Sequence, residues 1–270
     1  MSMHKSKYAL VAVLWLSTVS AETLPPPQEI TFTAPVYQSE DTIELTAYLY
    51  RPEGQGPHPA IVDLHGCNGI WPVRSQPWFE RYLDWGFAVL QVDSFGPRGQ
   101  DNICGSLFAI PTWQRARDAH AAKRWLMEQP WVAAQEVYLT GFSHGATTVL
   151  LALHDDLNSK QPFAGAIAVA PWCLDQFGNS HTDLLILIGG QDQWTPAQRC
   201  QVMISVRPER VELVIYEDAY HSFDAPGVDS IYLGQRVAFD AQVARDARHR
   251  AREFFRERVG AHLRRGELLR

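Results

Sequence analysis

The chain has 270 residues, of which 46% are hydrophobic, and its formal net charge at pH 7 is −6. This content is enough for one substantial core, and 11% aromatic residues with nine Trp exclude a disordered chain. The acidic balance, without a basic patch that carries interleaved aromatic residues, excludes a generic nucleic-acid-binding protein.

The N-terminal segment, residues 1–21, has the features of a secretory signal peptide. A basic start without acidic residues precedes an apolar run at 8–16, and small residues, Val19 and Ala21, stand at the positions of a cleavage site. The alternative is a membrane anchor, but the run is shorter than the roughly 20 residues that cross a bilayer core. We therefore predict cleavage after Ala21, export to the periplasm or the medium, and no membrane insertion of the mature chain.

Strands alternate with helices along the rest of the chain. Residues 22–42 are predicted as an extended N-terminal lead-in, and residues 43–270 as one domain. The predicted strands are 43–50, 60–64, 87–92, 136–140, 164–170, 184–188 and 211–216. The predicted helices are 77–85, 112–128, 146–154 and 235–259. The first strand alternates polar and apolar residues and the others are short and apolar, which predicts a single α/β domain with a doubly wound, mostly parallel sheet.

A serine stands between two glycines where a strand passes into a helix. The segment Gly141-Phe142-Ser143-His144-Gly145 follows the predicted strand 136–140 and opens the helix 146–154. This pattern is typical of a nucleophile elbow, a tight turn that exposes the hydroxyl at the top of a sheet. The alternative is an ordinary turn, because glycine and serine are common in turns of this kind.

An acid and a histidine follow Ser143 in the order that an elbow serine needs. Asp192 comes directly after the strand 184–188, and His221 comes after the strand 211–216, so both lie at the edge of the sheet where Ser143 emerges. A free hydroxyl is a poor nucleophile and requires a base, which in turn requires an orienting acid. The order Ser, Asp, His is that of the α/β-hydrolase fold, so we predict Ser143 as the nucleophile, His221 as the base and Asp192 as the acid.

Other residues near these positions are weaker candidates for the same roles. Asp218 is the main alternative to Asp192, and Asp224 is a further nearby acid. Asp183 opens its strand and so lies at the wrong end of it, and His181 precedes that strand.

Acyl transfer also needs donors for the developing oxyanion. We expect them to be the backbone N–H groups of His144, which follows the nucleophile, and of Cys67, in the loop after the strand 60–64. The imidazoles of His65 and His144 could in principle bind a metal ion or act as a second base. A role in structural hydrogen bonds is favoured, because neither residue has the spacing to another histidine that metal ligands show. The sequence therefore predicts no metal site and no cofactor.

The four cysteines all lie in the mature chain, where export favours disulfide bonds. Cys173 and Cys200 follow adjacent predicted parallel strands, so we expect them to pair at the edge that carries Asp192. By elimination Cys67 then pairs with Cys104. The alternative is four reduced, buried thiols.

Two further residues are candidates for contact with a substrate. Arg98, in the loop after the strand 87–92, would either pair with a substrate carboxylate or brace its own loop. Trp194, two residues after Asp192, is the best candidate among the tryptophans for the wall of a substrate pocket.

Five segments carry a family resemblance: HGC at 65–67, DSFGPRG at 93–99, GFSHG at 141–145, DQWTP at 192–196 and YHSFD at 220–224. Together they resemble the dienelactone hydrolase family of α/β-hydrolases, from about residue 43 to the C-terminal helix. The founding members of that family use cysteine where this chain has Ser143, which favours an ordinary serine esterase. The resemblance implies a hydrolase of small-molecule carboxylic esters or lactones, and the predicted signal peptide adds export. The alternatives are a non-catalytic binding protein and a peptidase on the same fold.

Overall fold

The computed structural model describes residues 24–158, 160–173, 180–205 and 209–260. The predicted signal peptide, residues 1–21, lies outside these ranges.

One sheet of eight strands runs through the molecule, in the spatial order β1-β2-β4-β3-β5-β6-β7-β8. Its strands are β1 Gln28–Pro35, β2 Thr42–Tyr50, β3 His58–Leu64, β4 Ala88–Asp93, β5 Val132–Phe142, β6 Ala166–Val169, β7 Leu184–Gly189 and β8 Val211–Tyr216. The β1–β2 and β2–β4 pairs are antiparallel, and all the other neighbours are parallel. The mostly parallel α/β sheet predicted from the sequence is confirmed.

Helices cover both faces of this sheet. They are α1 Pro72–Asp84, α2 Thr112–Met127, α3 His144–Ala152, α4 Asp155–Asn158, α5 Ala197–Ser205 and α6 Ala241–Arg258. The helices α1 and α6 pack on one face through aromatic side chains such as Phe79 and Phe255. The helices α2, α3 and α5 pack on the other face, where small residues such as Ala119 allow close approach. The fold is therefore a single, doubly wound domain.

The parallel strands form because their residues are apolar on both sides. All six residues of β7, Leu184-Leu185-Ile186-Leu187-Ile188-Gly189, are buried or nearly so, as expected for a strand with helices above and below it. By contrast, β2 alternates buried and partly exposed residues and lies near the antiparallel edge.

The chain order of the strands reverses at β3. From β3 the chain passes to β4 on one side and then to β5 on the other side. Crevices at such a switch point, outside the carboxyl ends of the strands, are where open α/β sheets bind ligands. The loop with Cys67 follows β3, and Ser143 follows β5, so both lie at this point.

Three elements differ from the sequence-based expectations. Gln28–Pro35, within the predicted lead-in, is the strand β1; only Phe32 and Ala34 of it are buried, so its apolar signal is weak. The helix α1 begins at Pro72 rather than at residue 77, since proline fits the first turn of a helix.

The predicted helix 235–259 is also shorter than expected. Its first part is the strand β10 Gln235–Ala238, which pairs with β9 Asp229–Tyr232 as a separate hairpin. The helix α6 begins only after Asp240, whose carboxylate accepts hydrogen bonds from the N–H groups of Gln242 and Val243 at 2.8 and 3.0 Å.

Within the described ranges, no helix combines the length and the apolar character that a membrane crossing requires.

Candidate active site

Ser143 occupies a strained turn between β5 and α3. Its backbone has φ 54° and ψ −118°, a region that non-glycine residues rarely adopt. A Cβ atom at Gly141 would lie 2.6 Å from the carbonyl carbon of Gly145, and one at Gly145 would overlap the carbonyl oxygen of Leu64. Both glycines are therefore required for the turn to close and for it to pack against the end of β3.

Ser143, His221 and Asp192 form one hydrogen-bonded chain. The Nε2 atom of His221 lies 3.1 Å from the Oγ of Ser143, and its Nδ1 lies 2.7 Å from the Oδ2 of Asp192. The carboxylate only accepts, so Nδ1 carries the proton and Nε2 presents its lone pair to the serine hydroxyl. The structure thus brings together the three residues that the sequence places at three strand ends.

The Asp192 carboxylate is held by more than the histidine. Its Oδ1 accepts from the backbone N–H groups of Trp194 and Thr195, each at 2.9 Å, and its Oδ2 accepts from the Thr195 hydroxyl at 2.6 Å. Because the side chain is buried, these bonds fix the orientation in which it meets His221.

The alternative acids and base lie elsewhere. Asp218 and His181 are exposed. Asp224 is buried but pairs with Arg74 at 2.8 Å. Asp183 pairs with Arg258 at 3.1 Å, at the amino end of β7.

The two segments expected to donate to an oxyanion lie on either side of the elbow. The helix α3 begins at His144, so the N–H of this residue belongs to the first turn and has no acceptor within the helix. The loop with Cys67 abuts the elbow, since Gly145 lies against the end of β3, and Cys67 lines the same cavity as Ser143.

A buried arginine joins these two segments. The guanidinium of Arg115, on α2, donates to the Nδ1 of His144 and to the carbonyl oxygen of His65, each at 2.7 Å. Burial and the Arg115 charge lower the pKa of His144 to about 3, and they also hold the pKa of His65 well below its usual range. Both imidazoles are therefore neutral at neutral pH, which agrees with structural hydrogen bonding.

The sequence did not indicate Arg115. Its helix carries charged residues on several faces, so no apolar stripe marks this position as internal. Burial lowers the pKa of Arg115 to about 9, and its charge is partly balanced by Asp118.

Both disulfides pair as the sequence predicts. Cys67 bonds to Cys104, and Cys173 bonds to Cys200, with Cα–Cα distances of 4.9 and 5.0 Å. The first ties the loop after β3 to the loop before α2. The second ties the chain after β6 to α5, which follows the loop of Asp192.

Arg98 braces its loop. Its guanidinium donates to both carboxylate oxygens of the buried Asp118, at 2.8 and 2.9 Å, and to the carbonyl oxygen of Ser94 at 2.7 Å. Arg98 is not among the residues that line the cavity at Ser143. Of the two roles that the sequence left open, substrate binding is not supported, because the guanidinium is already paired.

A cavity of about 370 Å³ opens onto Ser143 and His221. Trp194 lines it and stacks on the His221 ring, with ring centroids 6.1 Å apart. The hairpin β9–β10 forms another wall through Tyr232 and Val237. Sequence reasoning missed this hairpin, although Gly234 marks its turn with a positive φ of 82°.

A model of the dienelactone hydrolase family matches residues 45–259, which is most of the chain. The chain belongs to the dienelactone hydrolase family. None of the curated proteins compared with this family member matches it. Membership shows a hydrolase with the α/β-hydrolase fold.

Solved structures share the fold of this dienelactone hydrolase family member at low sequence identity. A dienelactone hydrolase-like promiscuous phosphotriesterase from metagenomic libraries has a TM-score of 0.70 and 19% identity, covering 87% of this chain and 99% of its own. Esterase 2 from Thermogutta terrifontis has a TM-score of 0.63 and 19% identity, with coverages of 87% and 96%. The acylaminoacyl peptidase from Pyrococcus horikoshii has a TM-score of 0.62 and 16% identity, covering 87% of this chain and 42% of its own.

Proposed function

We propose that this member of the dienelactone hydrolase family is an exported serine hydrolase that cleaves carboxylic esters or lactones through an acyl-enzyme on Ser143. The observation that carries the proposal is the chain of hydrogen bonds from Ser143 through His221 to Asp192 at the wall of a cavity. Esterase 2 from Thermogutta terrifontis shares this fold, and the analogy supports an ester as the substrate.

In the first half of the reaction, the Oγ of Ser143 forms a bond to the acyl carbon while Nε2 of His221 takes the hydroxyl proton. The carbonyl oxygen becomes an oxyanion, which the N–H groups of Cys67 and His144 stabilise. The imidazolium then gives its proton to the leaving alkoxide as the C–O bond breaks, and the alcohol departs. Asp192 keeps the imidazole in the required tautomer and offsets its charge.

In the second half, a water molecule attacks the acyl carbon of the acyl-enzyme, and His221 takes its proton. The bond to the Oγ of Ser143 breaks, the proton returns to this oxygen, and the carboxylic acid is released. For a lactone the alcohol remains attached to the acyl group, so the product is one hydroxy acid. Each step uses only groups of the chain, the substrate and a water molecule.

The disulfides support the export part of this proposal. Stable disulfides form in oxidising compartments, and all four cysteines are paired in the structure. The predicted signal peptide would deliver the chain to such a compartment.

Labelling with a fluorophosphonate, together with a panel of 4-nitrophenyl esters of graded acyl length, tests the proposal. We expect one labelled serine, loss of both labelling and hydrolysis in Ser143→Ala, and wild-type behaviour in Ser205→Ala, an exposed serine on α5. Hydrolysis by Ser143→Ala within tenfold of wild type would show that Ser143 is not the nucleophile. A folded wild-type protein that neither reacts with the probe nor cleaves any ester would favour the binding-protein alternative.

A further inference from the structure

The side chains of the described residues that line the cavity at Ser143 are aromatic, apolar or neutral polar groups, apart from the imidazole of His221. Its rings belong to Trp71, Phe142, Trp194 and Tyr232. Its polar groups include, besides Ser143 and His221, the amides and hydroxyls of Asn68, Asn102, Ser222 and Ser230. Among the described residues that line it, none is lysine, arginine, aspartate or glutamate.

Two arginines on elements that lead to or from the carboxyl edge of the sheet, Arg74 of α1 and Arg98 after β4, already have partners. Arg74 lies behind Phe142, with its guanidinium carbon 4.6 Å from the ring centroid, and it pairs with the buried carboxylate of Asp224. Arg98 is held by both oxygens of Asp118. A substrate carboxylate in the cavity would therefore lose its hydration without gaining a cation.

A stack of rings extends from His221 to the hairpin β9–β10. The ring of Trp194 lies on the imidazole of His221 at an interplanar angle of 28°, and the ring of Tyr232 lies on Trp194 at 18°, with centroids 5.9 Å apart. The amide of Asn102 donates to the Tyr232 hydroxyl at 3.2 Å, which joins the hairpin to the opposite loop. The rings of Trp71, Phe142, Trp194 and Tyr232 make much of the cavity wall apolar, which favours an apolar, aromatic group on the ligand.

We propose that the site selects uncharged esters with an aromatic group and discriminates against esters whose aromatic group carries a carboxylate. This inference rests on the proposed function, because it concerns the substrate of the same serine. Its physical cause is the cost of placing an unpaired anion among neutral side chains.

Two matched substrates separate charge from shape. In 3-acetoxybenzamide and 3-acetoxybenzoate the same acetyl group is transferred to Ser143, and the departing phenols differ only in a neutral amide or a carboxylate of similar size. After division by the rate of hydroxide-catalysed hydrolysis, we expect kcat/KM to be at least tenfold higher for the amide. A value for the carboxylate that equals or exceeds that of the amide would overturn the inference.

A substitution in the cavity wall tests whether the missing cation is the cause of the discrimination. Ser230 lines the cavity on the exposed strand β9, so Ser230→Lys adds a cation there, and Ser230→Gln is the neutral control. We expect the ratio of kcat/KM for the carboxylate to kcat/KM for the amide to be about tenfold higher in Ser230→Lys than in Ser230→Gln. Equal ratios in the two variants would show that charge in the cavity is not the cause.

A third ester distinguishes failure of this inference from failure of the proposed function. If 2,2,2-trifluoroethyl acetate, which has no aromatic ring, is cleaved but neither 3-acetoxybenzamide nor 3-acetoxybenzoate is, the cavity does not accept the aromatic group and the inference alone is wrong. If 2,2,2-trifluoroethyl acetate is also stable and a fluorophosphonate does not label Ser143, the proposed function is wrong and the inference fails with it.

Discussion

Arg115 and His144 lie 29 residues apart in the chain and are joined by a hydrogen bond of 2.7 Å in the interior. The second nitrogen of the same guanidinium holds the carbonyl oxygen of His65. One side chain of α2 thus fixes the first residue of α3 relative to the loop after β3. These are the two segments whose N–H groups we propose as donors to the oxyanion.

Arg115→Met is therefore expected to lower both stability and activity. It leaves two buried acceptors without donors, which costs about 2–3 kcal/mol of the free energy of unfolding. Displacement of one oxyanion donor lowers kcat by about 10- to 100-fold, less than the complete loss of a donor. KM for a 4-nitrophenyl ester should change little, because the cavity wall is intact.

The control is Arg124→Met, an exposed position on the same helix. Arg115→Lys retains one donor and should recover part of kcat. If Arg115→Met is less stable but its folded fraction has wild-type kcat, then Arg115 contributes only to folding and does not position the donors.

Stability should fall between pH 6.5 and pH 4 because of His120. Burial lowers the pKa of His120 to about 4 in the folded protein from an ordinary value of 6.5, and its Nε2 lies 2.8 Å from the carbonyl oxygen of Ala152. Below pH 6.5 the unfolded chain binds a proton that the folded chain does not bind, so unfolding becomes more favourable as the pH falls. The loss attributable to this residue at pH 5 is about 2 kcal/mol.

Urea unfolding at pH 7 and pH 5 measures this effect. His120→Gln should be less stable than wild type at pH 7 but should lose less stability on acidification. His249→Gln, an exposed histidine on α6, should follow the wild type at both values. Equal losses for wild type and His120→Gln would mean that His120 is not the group that titrates.

Removal of the Cys173–Cys200 bond should loosen Asp192, the acid of the proposed triad of Ser143, His221 and Asp192, before it unfolds the domain. On the chain-entropy model, a loop of this length contributes about 3–4 kcal/mol. The bond anchors α5, which follows the loop of Asp192, and a triad acid must be held within a fraction of an ångström. In Cys173→Ala/Cys200→Ala, ester hydrolysis should therefore fall at lower urea concentrations than the far-UV circular dichroism signal does.

The same two urea curves, for ester hydrolysis and for circular dichroism, are measured for wild type and for Cys67→Ala/Cys104→Ala, in which the bond next to the loop of Asp192 is intact. Coincident loss of activity and of helical signal in Cys173→Ala/Cys200→Ala would show that this bond stabilises the domain as a whole.

Export should leave a mature protein that begins at Glu22. The basic start, the apolar run at 8–16 and the residues Val19 and Ala21 support cleavage at this position. Intact-mass measurement of the protein from the periplasm or the medium tests this expectation. A cytoplasmic protein that retains Met1 would contradict it.

The sequence predicted those parts of the structure that depend on buried parallel strands. Strands such as β7 are apolar throughout, and this signal located the carboxyl end that carries Asp192. The hairpin β9–β10 was missed because all four residues of β9 are exposed, so no pattern of burial marks it. Arg115 and Arg98 show the other limit. The sequence does not reveal whether the partner of a charged residue is a buried group of the protein or a ligand.

The Cys173–Cys200 bond also makes part of the chain a covalent ring. The ring includes β7 and Asp192, whereas Ser143 and His221 lie outside it. A protease that cuts once between residues 173 and 200 therefore does not divide the molecule, because the two pieces remain joined through sulfur. Where proteases act on this protein, a nicked chain would keep Asp192 tethered beside its histidine, and only a reducing agent would release the fragments.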